Sequence, residues 1–257
     1  TNKGELIMSI NVRVVTPITT KGFRRTEDLN AIGENIFTVS HSEIDIGPGS
    51  IECEYDEAMS LPGTILKIID AEKEGCDAVV IDCMGDPGLH SGRECVSIPV
   101  IGPCETAMHY ASMLGHKFSV ITVLERIRPM FENQAKIYGV SEKLASVRSV
   151  DIPVLELEDD LDRTVNQLTE QAIEAVEKDH SDVMIFGCTG LLGCAEALEK
   201  NLKAKGYIIP VIDPIPLAIN SAYICAKLKL TQSKHCYASP PVKGMVGYGE
   251  PKLRAVK

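Results

Sequence analysis

Apolar positions along the chain fall into short dense runs separated by longer stretches in which apolar and polar residues alternate with helical spacing. The short runs are "INVRVVTP" from Ile10, "DAVVIDC" from Asp77, "IPVIGP" from Ile98, "KFSVITV" from Lys117, "SDVMIFGC" from Ser181 and "IPVID" from Ile209. Each is bounded by glycine, proline or charged residues, which predicts a buried strand. The amphipathic stretches are "EYDEAMSLPGTILKIIDAEKEG", "CETAMHYASMLG", "ERIRPMFENQAKIYG", "DDLDRTVNQLTEQAIEAVEKD" and "PLAINSAYICAKLKL". Strands and helices alternating in this way predict an α/β fold of parallel sheets covered by helices on both faces.

One unit of that pattern occurs twice. "CDAVVIDCMG" followed by "IPVIGPCETAMHYASMLG" is answered by "SDVMIFGCTG" followed by "IPVIDPIPLAINSAYICAKL". Asp77 and Cys83 correspond to Asp182 and Cys188 at a separation of 105 residues, and Pro99 and Pro103 to Pro210 and Pro214 at 111. A duplication of this kind predicts two pseudo-symmetric lobes. Each would place one cysteine at the carboxyl end of a strand, where open α/β sheets bind ligands. Residues 1–9 read as a leader, vector-derived if Met8 is the natural start.

Composition narrows the function. A net charge of −10 argues against a nucleic-acid or anionic-membrane surface, since both need a basic face. No apolar run approaches a membrane span, and the first residues lack the apolar core of a secretory signal. Nine cysteines without a Cys-x-x-Cys pair fit neither a disulfide framework nor a zinc ribbon, so a reducing cytoplasmic setting is expected. Most of these thiols are read as core filler, including Cys95, Cys104 and Cys194.

Cys83 and Cys188 are read differently. Each stands where a strand gives way to a glycine-rich turn, and turn N–H groups or a helix N-terminus lower a thiol pKa. A thiolate and a thiol on opposite sides of one carbon form a base and an acid. If that carbon carries an acidic C–H beside a carbonyl, removal on one face and return on the other inverts it. Turn N–H groups would then hold the enolate oxygen. Neither a metal nor an organic cofactor is called for.

These residues resemble the aspartate/glutamate/hydantoin racemase superfamily, and within it the hydantoin and allantoin racemase branch. The resemblance runs from about Ile10 to about Leu230 on "GPGSIECEYDEA", "DCMGDPGL", "IPVIGPCETAMHYASMLGHKFSVIT", "GCTGLLG" and "PVIDPIPLAI". It implies a two-base mechanism with Cys83 and Cys188 as the opposed catalytic pair. It also implies two lobes, residues 10–103 with about 216–257 and residues 104–215, the last helix crossing back to the first, and a homo-oligomer. Its substrate contacts fall on Thr16, Pro17, Thr19, Ser50, Gly85, Asp86, Thr122, Thr189 and Gly190. Two departures bear on the substrate: Thr16-Pro17-Ile18-Thr19 replaces the usual Asn-Pro-Asn, and Thr189 replaces alanine after the second cysteine.

Plainer readings apply elsewhere. Asp86 and Asp213, each before a proline at a helix start, are read as caps, with Asp86 also expected at the pocket. His90 is read as a polar helix residue, and "ELEDDLDR" as a helix N-terminus. "GPGS" reads as a turn, because neither a P-loop nor a complete dinucleotide fingerprint accompanies it. The expected activity is racemisation of a small cyclic ureide, a 5-substituted hydantoin or allantoin. An aspartate/glutamate-type amino-acid racemase and a two-lobed solute-binding protein are the competing readings.

Overall fold

The computed structural model describes residues 9–244 together with 246 and 247. The expected leader lies outside the described residues except for Ser9. The ordered elements alternate as β1 (Asn11–Thr16), α1 (Thr26–Ile32), β2 (Thr38–Glu43), α2 (Glu54–Lys73), β3 (Ala78–Ile81), α3 (Leu89–Cys95), β4 (Val100–Ile101) and α4 (Pro103–Leu114). They continue as β5 (Phe118–Thr122), α5 (Arg128–Ile137), β6 (Leu144–Ser149), α6 (Leu161–Asp179), β7 (Val183–Phe186), α7 (Ala195–Ala204), β8 (Val211–Ile212) and α8 (Pro214–Lys227).

The strands form two four-stranded parallel sheets of matching order, β2-β1-β3-β4 and β6-β5-β7-β8. The duplication therefore has a structural counterpart, strand for strand. Val14 stands opposite Val80 in the first sheet and Val120 opposite Ile185 in the second. The repeated aspartates also do the same job. Asp77 accepts from the backbone N–H of Asn11 at the start of β1, and Asp182 from those of His116 and Lys117 just before β5. Each carboxylate thus ties the central strands of its sheet at their amino ends.

Central strands β3 and β7, "AVVI" and "VMIF", are buried at every position because helices cover both faces. In the first lobe Val12, Val14, Ala78 and Val80 pack on Ile215, Ala218, Ile219 and Ala222 of α8. Val15, Val79 and Ile81 face Ile68 and Ile69 of α2 and Leu89 of α3. The two lobes exchange helices: α4, which follows the first sheet, lies on β5 and β7, while α8, which follows the second, lies on β1, β3 and β4. The exchange braces one lobe on the other.

The helix ends follow their sequence signals. Asp160 caps α6 by accepting from the Arg163 N–H at 2.9 Å, which makes the acidic run a helix start. Asp213 accepts from the Ile215 N–H at 3.3 Å at the head of α8 and from Gly193 at 2.8 Å. Asp86 departs from expectation. It does not cap the helix that follows it; α3 starts at Leu89 after Gly88 in the left-handed region. Its carboxyl caps α4 instead, accepting from the Cys104 and Glu105 N–H groups at 3.0 and 2.9 Å and from the Tyr138 hydroxyl at 2.6 Å. Among the described residues no helix is long and apolar enough to cross a membrane.

Candidate active site

The carboxyl ends of β3 and β7 face one small cavity of about 50 Å³. Cys83 and Cys188 both line it, one from each lobe. Pro17, Ile18 and Phe23 come from the loop after β1, and Ile51 and Cys53 from the loop before α2. Val123, Ile127, Met130 and Val154 complete an apolar wall from the second lobe. Asp82, Met84, Gly85, Gly187 and Thr189 flank the two sulfurs.

The two sulfurs sit in matching turns. Cys83 Sγ accepts from the Gly85 N–H at 3.4 Å, and Cys188 Sγ accepts from the Gly190 N–H at 3.3 Å. The Gly85 and Gly190 N–H groups thus point at the sulfurs, as the glycine turns lead one to expect. Their pull is outweighed. Burial pushes the Cys188 thiol up to about 11, against the Gly190 N–H and the Arg24 charge, which lower it. Burial lifts Cys83 further, with Glu57 and Cys188 adding to the rise and only the Gly85 N–H opposing it. Glu57 lies against Gly85, and burial together with Glu54 brings its own carboxyl to about 7. Burial therefore raises both thiols above the ordinary range.

Of the contacts implied by resemblance, Pro17, Gly85 and Thr189 line the cavity with the cysteines. Thr16, Thr19, Ser50, Asp86, Thr122 and Gly190 are not among its lining residues, and most have other partners. Thr16 is buried beneath and donates to Asp82 Oδ2 at 2.8 Å, which leaves its oxygen to accept from His41. Thr19 Oγ1 donates to the Pro48 carbonyl and Thr122 Oγ1 to the Gly187 carbonyl. Asp86 is committed to α4, Gly190 to the Cys188 sulfur, and Ser50 immediately precedes the cavity residue Ile51. His90 is exposed on α3, Cys104 and Cys194 are buried, and Cys95 is half-buried. No group of three His, Cys, Asp or Glu side chains among the described residues is placed to hold a metal ion.

Two polar residues at the site, Asp82 and Arg24, were not among the expected contacts. Asp82, one residue before Cys83, has a fully buried side chain, and Arg24 grips it through Nε and Nη2 at 2.7 and 3.0 Å. Burial alone would raise the Asp82 carboxyl; the Arg24 charge and the Thr16 hydroxyl overcome it and hold the carboxyl below its ordinary value. A lone aspartate in an apolar strand does call for a buried cation. Nothing in "KGFRRTED" distinguishes Arg24 from Arg25, which lies on the surface.

Gly187 is fixed by close packing. A Cβ there would stand 2.7 Å from Thr122 Cβ and 2.9 Å from Thr122 Cα, where only backbone movement makes room. Gly187→Ala is expected to cost about 1–3 kcal/mol in urea unfolding and to displace the adjoining Cys188.

The two lobes thus bring one thiol each to a shared, mainly apolar cavity. A family model described as Asp/Glu/Hydantoin racemase matches residues 7–222. A hydantoin racemase of Pseudomonas sp. (strain NS671) is 37% identical over 244 residues, covering 93% of this chain and 95% of that protein. An allantoin racemase from Klebsiella pneumoniae superposes with a TM-score of 0.86 at 31% identity, covering 95% of this chain and 98% of that one. A glutamate racemase from Bacillus anthracis shares the fold at a TM-score of 0.62 and 16% identity, over 90% and 91% of the two chains. The chain belongs to the Asp/Glu/hydantoin racemase family and is an isomerase.

Proposed function

We propose that the protein racemises a five-membered cyclic ureide with an apolar substituent, a 5-substituted hydantoin, through Cys83 and Cys188. The observation that carries this reading is the opening of both sulfurs onto one cavity whose other walls are mainly apolar. The thiolate of one cysteine removes the C5 proton, and the C–H electron pair moves into the adjacent carbonyl to give an enolate. The thiol of the other cysteine delivers its proton to C5 from the opposite face. The product is the mirror image, and the two sulfurs have exchanged protonation states. A thiolate that is scarce because its conjugate acid sits near 11 is also a stronger base, which suits a weakly acidic C–H.

Charge favours this substrate over a free amino acid. None of the cavity-lining residues is lysine, arginine or histidine, and Arg24 nearby is already paired with Asp82. A free α-carboxylate would enter an apolar site without a partner, which is costly. A neutral ring with an alkyl or benzyl group would not. The polar ureido group of allantoin fits the same walls less well.

Polarimetry on a panel of single enantiomers tests the reading. Hydantoins carrying isobutyl or benzyl groups are expected to lose rotation about tenfold or more faster than allantoin. Free aspartate and glutamate are expected to keep theirs. Racemisation of the free amino acids with inert hydantoins would overturn the assignment.

A further inference from the structure

The loop between β1 and α1 holds a group that the acid–base scheme leaves unused. Arg24 is buried, and its guanidinium takes both oxygens of Asp82. Its Nη2 also donates to the carbonyl of Thr189. Asp82 directly precedes Cys83 in the first lobe, and Thr189 directly follows Cys188 in the second. A return contact runs from Thr189 Oγ1 to the Asp82 carbonyl at 3.3 Å. One cation thus joins the chain neighbours of both sulfurs across the lobe boundary. Phe23, the preceding residue, lines the cavity with its ring 4.9 Å from the Arg24 guanidinium carbon.

The chemistry gives that placement a consequence. Domains within one chain move against each other unless their interface prevents it. Proton transfer tolerates little such movement, since displacing a reacting group by 1 Å can cost about 10²-fold in rate. A two-base inversion needs both sulfurs in reach of one carbon at one moment. If the second sulfur is late, the first has time to exchange its captured proton with solvent and return it to the face it came from. The planar fork of arginine can hold a carboxylate at two points and still reach a carbonyl; the single ammonium of lysine cannot reproduce that geometry.

We propose that Arg24 is a positioning residue that sets the spacing of Cys83 and Cys188 through Asp82 and Thr189, so that a proton taken by one sulfur is replaced by the other. The inference rests on the two-cysteine racemase reading.

The test follows one enantiomer of 5-benzylhydantoin in D2O, stopped at low conversion, with recovered substrate and product separated on a chiral column and weighed by mass spectrometry. The wild-type protein is expected to place deuterium in the product and leave the recovered substrate unlabelled. Arg24→Lys is expected to lower kcat by about 10²-fold while KM moves less than about threefold. It is also expected to accumulate deuterium in the recovered substrate. A merely structural role would reduce the folded fraction, and with it the rate, but would leave the label in the product alone. The double variant Arg24→Gln with Asp82→Asn removes both charges together, so no unmatched ion is left in the interior, and it should show the same redistribution of label. Wild-type labelling in whichever of these variants folds would overturn the proposal. Failure of the wild-type protein to racemise any hydantoin would instead sink the proposed function, and this inference with it.

Discussion

Cys83→Ser and Cys188→Ser are each expected to lower racemisation by about 10³-fold, within the range general acid–base catalysis contributes. An alcohol of the same shape is too weak an acid and too poor a base to replace a thiol. The two variants are expected to be unequal in an informative way. Each keeps one cysteine, and so keeps exchange of the C5 proton for solvent deuterium in the enantiomer whose C–H bond faces that sulfur. The enantiomer exchanged by Cys83→Ser should be the one left unexchanged by Cys188→Ser. NMR of each pure enantiomer in D2O reads this directly. Native rates of racemisation in both variants would remove the thiols from the chemistry.

The second large effect is on pH. In the proposed two-base reaction the active form of the free enzyme carries one thiolate and one thiol, and burial raises the Cys188 thiol to about 11. A raised pKa means the thiolate is populated only as pH climbs, to roughly one molecule in 10⁴ at pH 7. kcat/KM should therefore rise about tenfold per pH unit between pH 7 and pH 10, because it reports the ionisations of the free enzyme. It should fall only when the second sulfur also loses its proton, at still higher pH. The two apparent values belong to the pair, since the Cys188 charge raises the cost of ionising Cys83. A plateau reached below pH 9 would show that the cavity lowers a thiol pKa, as neighbouring N–H groups do in less buried sites.

Much of this was legible in the chain, and what was not has a common cause. Six of the eight strands among the described residues were visible as apolar runs because helices pack on their sheets. The two missed strands, β2 "TVSHSE" and β6 "LASVRS", are the equivalent edge strands of the two sheets, and their polar side chains read as loop. The duplicated Asp-strand-Cys unit placed both sulfurs at one site, because a repeat in an α/β chain repeats the strand ends as well. Local pattern could not show which distant groups meet. Asp86 stood beside a plausible helix start yet caps α4, 18 residues from Cys104 along the chain. The Arg24–Asp82 pair spans 58 residues, and its link to Thr189 spans 165. The sign of the thiol shift was also hidden: the N–H donors were foreseeable from the glycine turns, but the apolar walls that outweigh them come from both lobes.

The central claim is that sulfurs from two lobes flank one carbon. A crystal structure with a planar five-membered ureide bound in the cavity tests it most directly. The account predicts Cys83 Sγ and Cys188 Sγ on opposite faces of the ring, each about 3–3.5 Å from C5, the separation of a near-attack geometry. Both sulfurs on one face of the ring, or either one turned away from C5 with the ligand in place, would contradict it.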